Sequence, residues 1–303
     1  MLLFAYLSNI RFMRVGANLP EPSFGRHPVE YFGHPFTDHS KKAKNDQLHQ
    51  HCPFLNSECK KPRKSEPSVK VGVCSVGYKA EFTNEYVPVV ICPHRYNVQE
   101  VFDQIASRYL SVDVTSQIRW APEVSIGSGG SIDYVITKSK NASPSQIDDF
   151  LCVEFQAAGT TGTPWEAVKE FRTSRSFANR VYKFGINWAN EFAKTMMQQV
   201  YKKGMIIESW KKRIVFVLQD IGMEYLRKSY DVSDLHNPAR DEDPVHFFTL
   251  RMNWDDTKMT WLPVASDIVS TDLEGIRKIL GGSASNKYIT LDRFVDNIKR
   301  RLR

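Results

Sequence analysis

Apolar side chains at Val98, Val101, Phe102, Ile105 and Tyr109 recur at intervals of three and four, and that spacing predicts an amphipathic helix over 98–110. Trp120 to Ile126 and Ile132 to Ile136 flank a Gly-rich turn at Gly127 to Gly130, which is the pattern of a hairpin. Phe150 to Phe155 is apolar at every position except Glu154, as expected of a strand in the middle of a sheet. Ile186, Ala189, Phe192, Ala193, Met196 and Val200 predict a buried helix over 185–202. A strand over Arg213 to Gln219 follows, then a hairpin of Val245–Leu250 and Met259–Val264 around Asp255-Asp256. Leu291 to Arg303 reads as a helix ending in basic residues.

The N-terminal third is different. Residues 14–51 mix Pro, Gly, His and Lys with little periodicity and read as a loop-rich arm carrying an aromatic cluster at Glu30 to Phe36. In 52–95 the intervals are too short for long helices, and Val89 to Ile91 suggests a strand leading into Cys92. The chain contains neither an internal repeat nor a low-complexity tract. This order predicts an α/β protein with a mixed central sheet flanked by helices. Its expected units are an N-terminal extension (1–27), an arm with a small module (28–97) and a large domain (98–303).

At 303 residues the chain buries a substantial core. Forty-one Lys and Arg against 34 Asp and Glu give a net charge of +7, which suits a polyanionic partner, although unrelated basic proteins share it. No apolar run approaches the ~18–20 residues that span a bilayer, so no membrane partner is expected. The opening Met1 to Leu7 is short and lacks a basic region before it; it reads either as a false start upstream of Met13 or as a strand tucked onto the body. A cytoplasmic protein is expected.

Five cysteines are present, and Cys52, Cys59, Cys74 and Cys92 fall within 41 residues. In a reducing compartment such a cluster suits a metal better than disulfides. Intervals of six, fourteen and seventeen residues lack the paired C-x2-C of a zinc ribbon. Four thiolates still make a tetrahedral site for Zn²⁺ or a single iron, with His51 and His94 as second-rank ligands and unliganded thiols as the alternative. A metal there would fold a segment poor in core residues and place the basic run Lys60 to Lys64 against DNA. Cys152 is assigned to core packing.

Asp133 enters one predicted strand, and Glu154 lies inside another that is otherwise apolar. A carboxylate in a buried strand is expensive unless it meets a metal or a cation. Residues 154 and 156 are two apart and share a sheet face. If the two strands pair, Asp133 and Glu154 converge on one hard cation such as Mg²⁺, with Gln156 beside them to orient a water. Hydrolysis of a phosphodiester needs that arrangement. The plainer reading is a strand-end Asp and an edge-strand Glu facing solvent.

The set Asp133, Glu154 and Gln156 resembles the PD-(D/E)xK nuclease core, in a variant with Gln for the usual Lys. Glu30-Tyr-Phe-Gly-His34, Lys44-Asn-Asp-Gln47, Cys52-Pro-Phe-Leu55, Gly72-Val-Cys74, Ile91-Cys-Pro-His-Arg95 and Val153-Glu-Phe-Gln156 occur in the order found in NotI-type restriction endonucleases. The similarity covers roughly residues 28–300, although the chain is shorter than the best-known member around the segment joining the catalytic strands. The resemblance implies a PD-(D/E)xK fold with a four-cysteine metal module. It also implies a homodimer that cuts both strands of a palindromic, GC-rich DNA site to leave 5′ overhangs, in a bacterial or archaeal cell that carries a cognate DNA methyltransferase. By matched position it makes Asp133 and Glu154 ligands of catalytic Mg²⁺, Gln156 the Lys substitute, and the four cysteines ligands of a structural iron. Gln has no positive charge, so it can position a water but cannot stabilise a hydroxide.

Arg172, Arg175, Arg180 and Lys183 follow the Glu154 strand, with Trp165 and Asn179 among them. Arg reads guanine edges and Lys contacts phosphate, so these four are the expected DNA-binding residues; a solvated helix face is the alternative. Two other functions stay open: a PD-(D/E)xK nuclease of repair or modification-dependent cleavage, and a non-catalytic DNA-binding protein built on the cysteine module. The last leaves Asp133 and Glu154 without a task.

Overall fold

The computed structural model describes residues 23–80, 84–111, 117–139, 147–178, 180–189, 195–282 and 290–301. Most of the expected N-terminal extension, Asn179, Phe192 and Ala193 lie outside the described residues. Among those described, no helix is long and apolar enough to cross a membrane.

Four antiparallel strands open the chain: β1 (Pro28–Tyr31), β2 (His34–Pro35), β3 (Val73–Lys79) and β4 (Tyr86–Val90), in the order β2-β1-β3-β4. Between β2 and β3 lies helix α1 (Lys41–Leu48), which the hydrophobic pattern does not reveal. Only Ala43 and Asp46 of α1 are buried, so the helix has no apolar stripe; Ser40 starts it by accepting a hydrogen bond from Ala43 N at 3.1 Å. Helix α2 (Gln99–Tyr109) coincides with the predicted amphipathic segment and buries Val101, Phe102, Ile105 and Tyr109.

The large sheet has six strands: β5 (Gln117–Ser125), β6 (Ser131–Ser139), β7 (Asp149–Gln156), β8 (Ile214–Gln219), β9 (Val245–Asp255) and β10 (Thr260–Thr271). Their order is β10-β9-β8-β7-β6-β5. The central pairs β7–β8 and β8–β9 are parallel and the outer pairs antiparallel, so the sheet is mixed as expected. Both faces of the middle strands are covered. Leu151, Val153 and Phe155 pack on α2, whereas Cys152 and Phe216 pack on Met196, Met197 and Val200 of helix α4 (Thr195–Ser209), which follows α3 (Trp165–Ser174). Cys152 is core packing in fact as well as in expectation. Helix α5 (Asp220–Ser229) comes directly after β8, and the short α6 (Leu273–Arg277) and α7 (Leu291–Lys299) end the chain.

The first residues of the helix expected over 185–202 are not helical. Gly185–Ile186 pairs instead with Thr160–Thr161, and Asn187 N donates to Gly159 O at 2.9 Å. Trp188 and Ala189 are helical, residues 190–194 lie outside the described residues, and from Thr195 the helix is described as α4, whose apolar face runs on through Ile207. Tertiary pairing overrides the helical period at the start of this segment.

Residues on both sides of the 97/98 boundary share their cores. Val29 and Val90 belong to the cluster around α2, and Tyr31, Val73, Val76 and Val89 pack on Ala167, Val168 and Phe171 of α3. The two sheets are also joined by hydrogen bonds. At the end of β8 the Gln219 side chain accepts from Val90 N at 2.9 Å and donates to Pro88 O at 2.6 Å, standing in for a strand beside β4. Glu30, which is 0% exposed, accepts from Arg95 Nε at 2.9 Å and from Ser75 Oγ at 2.8 Å, and Arg95 Nη2 donates to Trp261 O of β10. Arg95→Met removes the cation paired with the fully buried Glu30 carboxylate. It should cost about 3–5 kcal/mol in urea unfolding, and the Glu30→Gln/Arg95→Met double variant should cost less than Arg95→Met alone.

Candidate active site

The antiparallel ladder of β6 and β7 ends at Tyr134 and Val153, and one step beyond it the next two side chains are Asp133 and Glu154. Side chains replace the ladder there. Asp133 N donates to Glu154 Oε1 at 3.2 Å, and Phe155 N donates to Asp133 Oδ2 at 2.9 Å. Each carboxylate thus satisfies a backbone N–H of the opposite strand, which holds both acids at one end of the strand pair. Asp133 and Glu154, predicted from separate strands, do come together.

Glu154 is 1% exposed, so the edge-strand reading does not hold. Sitting on the face of β7 that packs against α4, it meets Lys203 Nζ at 2.6 Å. Burial first, and the neighbouring Asp133 second, push the Glu154 carboxyl up to about 7, against the pull of Lys203. Asp133 is raised as well, chiefly by burial, with the Phe155 N–H and Lys203 opposing. Gln156 shares this face, and its Nε2 donates to Gln199 Oε1 of α4 at 3.0 Å. Helix α4 therefore touches the site twice, one turn apart.

Lys203 and Gln199 do not figure in the sequence-derived site, yet Lys203 carries a signal. It lies between Val200 and Ile207 on the buried stripe of α4, where a charged residue is as out of place as Glu154 is in β7. Glu123 of β5 is near Asp133 across the β5–β6 ladder at a φ of +52°, and its carboxylate accepts from Ser131 Oγ at 3.1 Å.

Among the described residues, no three His, Cys, Asp or Glu side chains stand in ready coordination geometry. Two carboxylates suit Mg²⁺ nevertheless, because that ion keeps several waters and takes one or two protein oxygens together with substrate phosphate. Two largely buried acids that repel one another are also relieved by a divalent cation.

Cys52, Cys59, Cys74 and Cys92 line a single cavity of about 200 Å³, together with Lys60, Lys61 and His94. Burial raises the Cys52 and Cys74 thiols and pushes Cys92 up to about 11, and each of these three feels the charge of another cysteine of the set. Lys61 opposes the rise at Cys92 and donates to Ile91 O at 3.1 Å. His51 Nδ1 is bonded to Asp46 Oδ1 at 3.1 Å. His94 lines the cavity and is half-buried. Burial lowers its pKa, while the charges of Asp133 and Glu123 oppose that shift.

The four basic residues after β7 divide. Arg180 pairs with Glu166 at 2.9 Å and with Glu170 at 3.1 Å. Arg175, in the left-handed conformation that ends α3, bonds Gln47 and lies over the Phe171 ring at 4.5 Å. Arg172 and Lys183 are exposed, with Arg172 6.0 Å from the Trp165 ring centre.

A family model described as restriction endonuclease NotI matches residues 36–239, more than half of the chain, and spans the thiol cavity, both carboxylates and Lys203. No curated protein matches the chain.

The raised Glu154 carboxyl makes a pH prediction. A folded-state value of about 7 lies above the ordinary 4.5, so the group contributes stability fully below about 4.5 and loses it as pH rises through about 7. In EDTA, the stability of Glu154→Gln relative to the parent should therefore increase between those two values. Chemical unfolding at a series of pH values measures it, and a pH-independent difference contradicts the prediction.

Proposed function

The chain belongs to the NotI restriction endonuclease family, and from that membership we propose that it hydrolyses double-stranded DNA at a specific site, with Asp133 and Glu154 holding the catalytic Mg²⁺. The observation that carries this reading is the pair of reciprocal hydrogen bonds that locks the two acids side by side where the β6–β7 ladder opens. The bonds engage Asp133 Oδ2 and Glu154 Oε1, leaving Oδ1 and Oε2 for a cation. Asp133 and Glu154 would hold Mg²⁺ there, which when bound would supply charge to offset the scissile phosphate and to acidify a water. Gln156, tethered to Gln199, orients water without adding charge. Two adjoining acids with Gln156 on the same strand face support reading this as a PD-(D/E)xK core in its Gln form.

The finer properties belong to the same proposal, and family membership is what supports them. The target is a palindromic, GC-rich sequence, cut by a homodimer in which each protomer supplies one active site for one strand. A cognate DNA methyltransferase protects the same site in the host genome. Exposed Arg172 and Lys183 are the better DNA-contact candidates of the four, since Arg175 and Arg180 are already engaged within the chain. The four cysteines hold a structural iron or zinc. The shared cavity supports this, and so does the nearby Lys61 charge, which offsets the net negative charge of a tetrathiolate site.

Incubation with unmethylated phage DNA and Mg²⁺ should give discrete bands. A smear favours a less specific nuclease, and intact DNA refutes the proposal. Asp133→Ala and Glu154→Ala should each abolish cutting while leaving DNA affinity in Ca²⁺ within about threefold of the parent. Elemental analysis should find about one iron or zinc per chain, lost in Cys74→Ser. A metal-free parent protein refutes the cysteine assignment without touching the catalytic one.

A further inference from the structure

We propose that Lys203 of α4 supplies the ammonium that the third motif position, Gln156, lacks, and that it stands beside the attacking water as negative charge develops on it. The inference rests on the two-carboxylate reading above. Three observations support it. Lys203 Nζ is 2.6 Å from Glu154 Oε1, with side-chain exposures of 10% and 2%. Gln199, one turn earlier on the same helix, takes the amide of Gln156, so the helix meets both positions of the strand motif. The lysine also occupies the buried stripe of α4 between Val200 and Ile207, where an apolar side chain would pack at lower cost. At Gly204 an added Cβ would come within 3.0 Å of Leu273 and 3.2 Å of Val245, so this part of the helix lies close against the sheet and α6, which brings its neighbour Lys203 within reach of β7.

An ammonium carries three N–H donors, and Glu154 Oε1 takes one. A second is available to a water beside the carboxylates. In the reaction the water oxygen forms a bond to phosphorus, and the bridging P–O bond breaks with its electron pair on the departing oxygen. The proton released by the water passes to solvent, and the departing oxygen takes one up, so that one water is added across the ester. Lys203 transfers no proton. It remains an ammonium that holds the water oxygen in line and stabilises the charge gathering there, a role that Gln156 cannot perform.

Lys203→Met keeps the aliphatic length and removes the charge. Single-turnover cleavage should fall about 10²–10³-fold, with DNA affinity in Ca²⁺ unchanged. Mn²⁺ binding to the DNA-free protein, read by calorimetry, should be retained or tightened, because the ammonium no longer competes for Glu154. Moving the charge back to the strand in Lys203→Met/Gln156→Lys should recover at least about tenfold of the lost rate. The assignment is overturned if Lys203→Met cuts within about threefold of the parent, if it loses Mn²⁺ binding, or if the double variant stays as slow as the single one. Glu154→Ala in the same assay separates the two claims. If it also cuts, the two-carboxylate reading fails; if only Lys203→Met cuts, that reading stands and the role of Lys203 falls.

Discussion

A carboxylate buried in the middle of a sheet that is covered on both faces persists only if positive charge and hydrogen-bond donors reach it from outside its own strand. Glu154 satisfies that constraint in two ways, through the Lys203 ammonium from α4 and the Asp133 backbone N–H from β6; the neighbouring Asp133 carboxylate works against both and makes the place attractive to a further cation. Much of the surrounding architecture serves this arrangement. The opened end of the β6–β7 ladder gives the acids their backbone donors, and the parallel β7–β8 pair fixes the strand that bears Glu154. Helix α4 covers the face toward which it points.

The N-terminal segment is coupled to the same frame. Gln219 extends β8 into the small sheet, Arg95 ties Glu30 of β1 to β10, and two apolar clusters run between the sheets and helices without regard to the chain's apparent modules. His94 shows the functional side of this coupling. It lies two residues after Cys92, lines the thiol cavity and feels the charge of Asp133. A metal in the cysteine cavity would therefore steady the segment that carries His94, as well as holding Lys60 and Lys61 in position.

Much of this is legible in the sequence, because it is written in periodicities. The helix near 98–110, the two hairpins and the apolar strands at 150–155 and 213–219 stand within a few residues of where the pattern puts them. Glu154 stands out as a charge in an apolar run. What escapes notice has no periodic signature. Helix α1 is almost wholly polar, and the start of the predicted 185–202 helix is drawn into a ribbon with Thr160–Thr161. Arg180 reads as a DNA contact in the sequence, yet its partners Glu166 and Glu170 stand one helical turn apart on α3. Lys203 is hidden for another reason. Its meaning depends on a partner 49 positions earlier, and only the packing of α4 on β7 brings the two together.

The central claim is that Asp133 and Glu154 act jointly on one divalent ion, and anomalous scattering from crystals of the DNA complex grown with Mn²⁺ tests it most directly. The account predicts a single strong peak in contact with both carboxylates and with a phosphate oxygen. A fully loaded complex in which the peak touches neither acid, or in which the two side chains hold separate ions, would contradict it.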